Sequence, residues 1–334
     1  MELIINSFGG YINKNGDLFC VKVNDQKFEV SCKKVERILI TTSASITTDA
    51  IKMAMDNNID IIFLDNFGNP YARVWHPKLG STVLIRRRQL EAAMYSEGTE
   101  LVKEWIGKKL QNSIDFLEKL EKTRKEKSHE IIDYCSKITE TLEAISNIDG
   151  EVNENRSLIM LKEAYAAKMY FEALAFLIPE RFKFEGRSKS PAKDEFNCML
   201  NYAYGVLYSI VEKGCIIAGL DPYVGFLHSD NYNKKSLVFD LIEMFRVYAD
   251  ETVFYMFSGR RVKLEYFDTV PNGLTLNKEG KASLLSEYNK FLDETIRWRN
   301  RNVPRRLSIQ LECHHIAQKL LNMNFNKVNE RTKI

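Results

Sequence analysis

The chain has 334 residues, of which 45% are hydrophobic and 28% are charged, and its formal net charge is +3. These values are typical of a globular protein of about two domains with a sizeable core. A net charge this small does not by itself indicate a nucleic-acid binder. Because no run of 18 apolar residues occurs, the sequence predicts no membrane-spanning helix.

The first 80 residues are predicted to form a small β-rich, sandwich-like domain. Short runs of β-branched and aromatic residues, such as DLFCVKV and KFEVSC, are separated by the hairpin-type stretches NKNG and NDQ. One helix interrupts them in TTDAIKMAMDNN, with Thr48 as its expected N-cap and Asp49 in its first turn. After it, IDIIFLD predicts a buried strand, and NFGNP predicts a turn before YARVW.

From about residue 83 the periodicity becomes helical, beginning with the long charged segment VLIRRRQLEAAMYSEGTELVKEWIGKKLQNSIDFLEKLEKT. Further helices are predicted at about 129–147, 155–178, 192–218, 235–257, 281–300 and 304–321. We therefore expect an α+β protein in which a larger, all-α domain follows the β-rich domain. The expected divisions are a β domain over 1–80, a linker over 81–90, a helical domain over 91–322 and a frayed tail over 323–334.

Six cysteines lie at positions 20, 32, 135, 198, 215 and 313, with no CxxC pair and no spacing typical of a zinc site. We interpret them as reduced thiols of a cytoplasmic protein. The N-terminal residues also lack the basic and apolar regions of a signal peptide, which agrees with this interpretation.

Four residues of the helical part form a candidate metal site. Asp240 and Glu243 lie at i and i+3 in SLVFDLIEMFRVY, so their side chains share a helix face whose other positions are apolar. Two carboxylates there repel each other unless a positive group lies between them. Glu163 stands in an apolar stripe of the predicted helix 155–178, and His228 follows the turn-rich stretch DPYVGFL.

Carboxylates with one imidazole suit Mn²⁺ or Mg²⁺ better than a structural zinc ion, and separate helices can bring them together in a bundle core. A simpler interpretation stays open for each residue alone. Asp240 and Glu243 also fit a solvated acidic edge that pairs with Arg246, Glu163 fits an edge position, and His228 fits a structural histidine.

Basic clusters after residue 85 indicate a partner that carries phosphates. Residues 1–85 hold nine basic and nine acidic residues, so the excess of positive charge lies in the helical part. The clusters are IRRRQ, GRSKSPAKD with Arg187, Lys189 and Lys193, and RWRNRNVPRR with Arg297, Arg299 and Arg301. Each cluster alone also fits a solvated helix face.

Three longer motifs resemble those of one family. They are KEAYAAKMYF around Glu163, GRSKSPAKDEFNCMLNYAYGVLY, and AGLDPYVGFLHSDNYNKKSLVFDLIEMFR, which holds His228 and Glu243. Their order and spacing are similar to those of the CRISPR spacer-acquisition integrases, the metal-dependent endonucleases of CRISPR adaptation. The resemblance covers nearly the whole chain, because the β-rich and helical halves also match the architecture of that family.

The resemblance implies a catalytic site for Mn²⁺ or Mg²⁺ with Glu163, His228 and Glu243 as ligands. The last ligand is often Asp in relatives and is Glu here, and Asp240 matches a neighbouring acidic position. The implied reaction is phosphoryl transfer on DNA, in which the 3′-hydroxyl of a captured fragment attacks the edge of a CRISPR repeat. Water in place of the hydroxyl gives endonuclease activity.

The partners that the resemblance implies are double-stranded DNA, as protospacer and as CRISPR repeat, a second copy of the chain bound through the β domain, and a small companion adaptation protein. The residues also allow two other functions to be considered. A non-catalytic DNA-binding scaffold of the adaptation complex is disfavoured by the complete ligand set. An unrelated hydrolase of small phosphate esters is disfavoured by arginine clusters that extend beyond a single pocket.

Overall fold

The computed structural model of the chain describes residues 1–23, 26–35, 37–57, 59–65, 70–74, 83–189, 191–228 and 234–323. The chain divides into two compact units. The first comprises Met1–Leu79, Ser188–Ser209 and Arg260–Asn289, and the second comprises Gly80–Arg187, Ile210–Gly259 and Lys290–Ile334. Most of the NFGNP turn, the start of the 81–90 linker and the tail 324–334 lie outside the described residues, and the domain boundaries stay a prediction.

Two four-stranded sheets form the N-terminal part of the first unit. Their strands are β1 Glu2–Ile5, β2 Gly10–Asn15, β3 Leu18–Val23, β4 Gln26–Ser31, β5 Arg37–Ile40, β6 Ala44–Ile46, β7 Asp60–Leu64 and β8 Pro70–Val74. One sheet has the order β1-β5-β7-β8 and is parallel except for the β7–β8 pair. The other has the order β4-β3-β2-β6 and is antiparallel except for the β2–β6 pair.

One hydrophobic cluster joins both sheets and the helix α1, Thr48–Asp56. It includes Phe19 from one sheet, Ile38 from the other and Met53 from the helix. Because residues of a strand alternate between two faces, each sheet can bury one face in this cluster. The predicted β-rich, sandwich-like region is therefore confirmed.

The predicted N-cap of α1 is wrong by one residue. Thr47 keeps an extended backbone, with φ −79° and ψ 152°, and its side chain accepts a hydrogen bond from the backbone N–H of Ala50 at 3.3 Å. Thr48 already lies within the helix. The TT pair offers two suitable caps, and only the backbone conformation distinguishes them.

The rest of the described chain is mostly helical, as expected. Its helices are α2 Val83–Met94, α3 Ser96–Glu121, α4 Ser128–Ser146, α5 Val152–Leu177, α6 Glu195–Ala218, α7 Ser236–Ile242, α8 Arg246–Ser258, α9 Lys278–Asp293 and α10 Arg305–Asn322. Within the second unit, α3 packs against α4 and α5. Its buried residues include Leu101, Trp105, Leu110 and Leu117, spaced at helical intervals. Among the described residues, no helix is both long and apolar enough to span a bilayer.

Later segments complete the first unit. A hairpin of β9 Phe267–Val270 and β10 Gly273–Leu276 belongs to it, with the first parts of α6 and α9. Lys278 donates a hydrogen bond to Ser7 Oγ at 2.7 Å, and Arg37 donates one to Ser209 Oγ at 3.4 Å. The compact unit around the two sheets therefore includes residues far from them in the sequence.

Two of the predicted helices are wrong in part. The helix predicted over 281–300 ends at Asp293, and a hairpin follows, with β11 Thr295–Trp298 and β12 Arg301–Pro304. In β11 the partly buried Ile296 and Trp298 alternate with exposed neighbours, which is a strand pattern of period two. The helix predicted over 235–257 is interrupted by a 3-10 turn, Glu243–Phe245, between α7 and α8.

The sheet core gives a direct test of the fold. Phe19 is fully buried, and Phe19→Ala is expected to destabilise the protein by about 3–5 kcal/mol because it removes a large side chain and leaves a cavity. The neighbouring strand offers a matched control, since Phe28 in β4 is 53% exposed. Phe28→Ala should shift chemical denaturation by less than about 1 kcal/mol. Equal losses for the two variants would contradict this core.

Candidate metal centre

The loop that carries His228 begins where α6 ends. Gly219 follows Ala218 with a φ of +83°, a left-handed conformation that glycine adopts without strain, and its N–H donates to Ile216 O at 3.1 Å. Gly225 permits close packing further along, because a Cβ there would lie 2.4 Å from Ser236 Cβ. The chain can thus reverse and bring the loop against the start of α7.

Side chains of two helices hold this loop in place. The fully buried Gln89 of α2 donates to Asp221 O at 2.9 Å and to Val224 O at 2.8 Å, and its Oε1 accepts from the Asp221 N–H at 2.9 Å. Trp105 of α3 packs edge-on against Phe226, with ring centroids 5.3 Å apart. The backbone leading to His228 is therefore anchored on both sides.

Asp240 organises the end of the loop. This carboxylate is 1% exposed, and it accepts backbone N–H bonds from Phe226 at 2.6 Å, Leu227 at 3.2 Å and His228 at 2.9 Å. Its Oδ1 also lies 2.7 Å from Nδ1 of His228. An ionised carboxylate only accepts hydrogen bonds, so Nδ1 is the donor, and a neutral imidazole in this tautomer has its lone pair on Nε2. This is the arrangement in which a carboxylate orients a metal-binding histidine.

Glu163 and Glu243 meet at one cation, the ammonium group of Lys109. Glu163 lies in α5 and Glu243 in the 3-10 turn, whereas Lys109 projects from α3. Lys109 Nζ is hydrogen bonded to Glu163 and lies 2.5 Å from Glu243 Oε2. Arg246 pairs with Glu243 Oε1 at 2.8 Å. The carboxylates that the sequence places 80 residues apart are thus gathered around positive charge.

The electrostatics of Glu243 follow from this arrangement. Burial raises the pKa of its carboxyl group, but Arg246 and Lys109 outweigh burial and hold the pKa well below its usual range. For Lys109, burial lowers the pKa and the two carboxylates more than offset it, so the pKa is raised. Lys109, Glu243 and Arg246 are therefore all charged at neutral pH.

The donor set fits a divalent metal ion in its chemistry. Glu243 Oε2 is buried and lies 2.5 Å from the Lys109 ammonium. Carboxylate oxygens and one neutral imidazole are ligands that Mn²⁺ and Mg²⁺ accept. The ligand atoms of Glu163, His228 and Glu243 do not all lie within 4.8 Å of one another. Lys109 lies between the two carboxylates instead.

Within the described chain, a different group has its ligand atoms within 4.8 Å of one another. It consists of Glu104 in α3 with Glu312 and His315 in α10. Its carboxylates already have partners: Lys319 bonds to Glu104, and Trp298 Nε1 donates to Glu312 at 2.8 Å. These contacts account for its acidic members without an ion.

Six of the basic residues singled out in the sequence are exposed, namely Arg187, Lys189, Lys193, Arg297, Arg299 and Arg301. In the IRRRQ cluster, Arg86 and Arg88 are half-buried. Arg297, Arg299 and Arg301 lie on the β11–β12 hairpin of the second unit rather than on the predicted helix. Arg299 has a φ of +52° and stacks over Trp298 at 5.2 Å, so it helps to shape the turn. Arg187 stacks over Phe171 at 5.5 Å in the second unit, whereas Lys189 and Lys193 belong to the first.

Comparison with known proteins identifies the family. The family model described as CRISPR associated protein Cas1 matches residues 3–290. The CRISPR-associated endonuclease Cas1 1 of Archaeoglobus fulgidus is 34% identical over 316 residues, which cover 91% of this chain and 91% of the relative. The chain belongs to the Cas1 family. It is a CRISPR-associated endonuclease, as the resemblance in the sequence implies.

Solved structures share the fold of this Cas1 chain. A Cas1 protein from Thermotoga maritima superposes with a TM-score of 0.81 at 22% identity, covering 97% of this chain and 98% of the other. A casposase bound to its integration product superposes with a TM-score of 0.82 at 23% identity, covering 97% and 91%. The α+β architecture is therefore that of Cas1 proteins.

Sequence reasoning missed Lys109 and Gln89. Lys109 is one of two lysines in WIGKKL, and its partner Glu163 is 54 residues away. The sequence indicated only that paired carboxylates need a positive group between them, and it did not indicate which residue supplies that group. Glu163 is half-buried, as an edge position would be, and its partner Lys109 comes from α3 rather than from its own helix.

The hydrogen bonds to Asp240 give a test that needs no metal. Asp240→Asn replaces one acceptor oxygen with an NH₂ group that faces backbone donors, which should cost about 1–3 kcal/mol of stability. The amides of Phe226, Leu227 and His228 should exchange hydrogen faster in this variant. Glu100→Gln is the control, because Glu100 is exposed and pairs with Lys103 at the surface. Unchanged exchange at the three amides would contradict the assigned role of Asp240.

Proposed function

We propose that Glu163, His228 and Glu243 hold a Mn²⁺ or Mg²⁺ ion with which this Cas1 protein catalyses phosphoryl transfer on DNA. The observation that carries the proposal is the Asp240–His228 contact, which leaves Nε2 of His228 as a metal-binding lone pair. The meeting of Glu163 and Glu243 at one cation supports it. Asp240 would act by orienting the imidazole rather than by binding the ion.

The bound ion would neutralise charge on the phosphate and lower the pKa of the attacking hydroxyl or water. The chain supplies the rest. Asp240 keeps the imidazole in one tautomer, Arg246 keeps Glu243 ionised, and the anchored loop fixes the direction of His228. Glu243 has one more methylene than the Asp often found in relatives, so its carboxylate can reach further from the 3-10 turn.

DNA binding is proposed to rest on the exposed basic residues named above. The β11–β12 hairpin presents Arg297 and Arg301 to solvent, and Arg187, Lys189 and Lys193 extend the set. Among the described residues, no helix carries several of these basic residues in a position to contact base edges. Contacts to phosphate groups would therefore dominate, and sequence preference would be weak.

A homodimer and a small companion adaptation protein complete the proposal. The β-rich region is neutral over residues 1–85, so it carries little charge that would hinder self-association. It also exposes Phe8 at 79%, Phe28 at 53% and Tyr71 at 69%. Aromatic side chains exposed on one region suit a protein interface. The six cysteines, all within the described residues, form no disulfide, which agrees with a cytoplasmic protein.

Substitution of the proposed ligands tests the metal site. Glu163→Ala, His228→Ala and Glu243→Ala should each abolish metal-dependent strand transfer, while DNA affinity stays close to that of the wild type. Asp240→Asn should retain activity reduced about 10–100-fold. Strand transfer and DNA binding are measured side by side, with Glu100→Ala as the control. Full integration by Glu243→Ala would exclude the proposed site, and parallel loss of DNA binding would indicate a structural role.

The salt dependence of DNA binding tests the basic surface. Affinity should fall about 10³-fold or more between 50 and 200 mM salt if about six phosphates are contacted. The double substitution Arg297→Gln with Arg301→Gln should reduce the slope of log K against log salt by about 1.8. Lys137→Gln with Lys168→Gln removes two charges from α4 and α5 and should leave the slope unchanged. Equal slopes for both double variants would exclude the hairpin as a contact.

A further inference from the structure

Lys109 occupies an unusual position for a lysine. Its side chain is 13% exposed, and its ammonium group contacts Glu163 from α5 and Glu243 from the 3-10 turn. The adjacent turn of α3 is tied to the same place, because Asn112 donates a hydrogen bond to Met244 O at 2.8 Å. The helix therefore presents Lys109 to both carboxylates from a rigid base.

The charges around these carboxylates are already balanced. Glu163 and Glu243 contribute two negative charges, and Lys109 and Arg246 contribute two positive charges. A divalent ion placed between the carboxylates would meet the ammonium at short range and be repelled. The ion would also need the same oxygens, including Glu243 Oε2, which lies 2.5 Å from the Lys109 ammonium.

We propose that Lys109 is the resident counter-cation of the Cas1 metal site, which the incoming divalent ion must displace from Glu163 and Glu243. This inference rests on the proposed metal site. Lys109 is a positioning residue here: it holds the two carboxylates together before the ion binds, and it lowers the affinity for the ion by competing with it.

Two consequences follow for a variant without the positive charge. Lys109→Met removes the competitor, so Mn²⁺ should bind at least about tenfold more tightly, a change of about 1.4 kcal/mol. The same variant leaves two carboxylates without their shared cation, so the metal-free protein should melt at a lower temperature. Added Mn²⁺ should therefore raise the melting temperature of Lys109→Met by more than that of the wild type.

The experiment measures Mn²⁺ affinity of the full chain by the electron paramagnetic resonance signal of free Mn²⁺, and melting temperature with chelator or with Mn²⁺. All proteins carry His315→Ala, so that the Glu104–Glu312–His315 group cannot contribute. Lys109→Arg keeps the charge and should bind Mn²⁺ within about threefold of the wild type. Lys109→Gln replaces Lys109→Met if the latter does not fold.

Lys103 is the matched control. It lies on the same helix, is 14% exposed and pairs with Glu100 at 2.9 Å, outside the proposed site. Lys103→Met should leave Mn²⁺ affinity unchanged. Unchanged or weaker Mn²⁺ binding by Lys109→Met would overturn the proposal, as would equal tightening by Lys103→Met.

The failure of the metal site itself is distinguishable from the failure of this inference. If Glu163→Gln and Glu243→Gln do not weaken Mn²⁺ binding, the proposed function is wrong whatever Lys109 does. If both weaken binding and Lys109→Met does not tighten it, the metal site stands and the role of Lys109 is wrong.

Discussion

A carboxylate can lie in the interior only where donors or cations surround it, and the second unit holds two such carboxylates three residues apart. Asp240 is surrounded by three backbone N–H groups and the imidazole of His228. Glu243 is surrounded by Lys109 and Arg246. The path of the loop and the direction of the histidine both depend on how these two charges are satisfied.

Asp240 and Glu243 have different partners although they lie one helical turn apart. Asp240 in α7 accepts hydrogen bonds from the loop that carries His228. Glu243, at the start of the 3-10 turn, pairs with Lys109 of α3 and with Arg246. One buried charge thus orders the backbone, and the other is balanced by two cations.

Periodicity predicted much of this fold, because it reports which face of an element is buried. The β-rich region and most helices follow from it, whereas the likeness to one enzyme family rests on three sequence motifs. Contacts between distant residues leave no such pattern, so Lys109 could not be paired with Glu163 or Glu243 from the sequence. Strand β11 was predicted as the end of a helix because its arginines hid the alternation of Ile296 and Trp298. The Thr47 cap depended on a backbone conformation that both threonines could adopt.

The most direct test of the account is a crystal structure of the protein grown with Mn²⁺, with anomalous scattering recorded at the manganese edge. We expect a manganese peak within bonding distance of oxygens of Glu163 and Glu243 and of Nε2 of His228, with the Lys109 ammonium moved away from both carboxylates. A peak at Glu104, Glu312 and His315 alone, or a Lys109 that still bridges the carboxylates under saturating Mn²⁺, would contradict it.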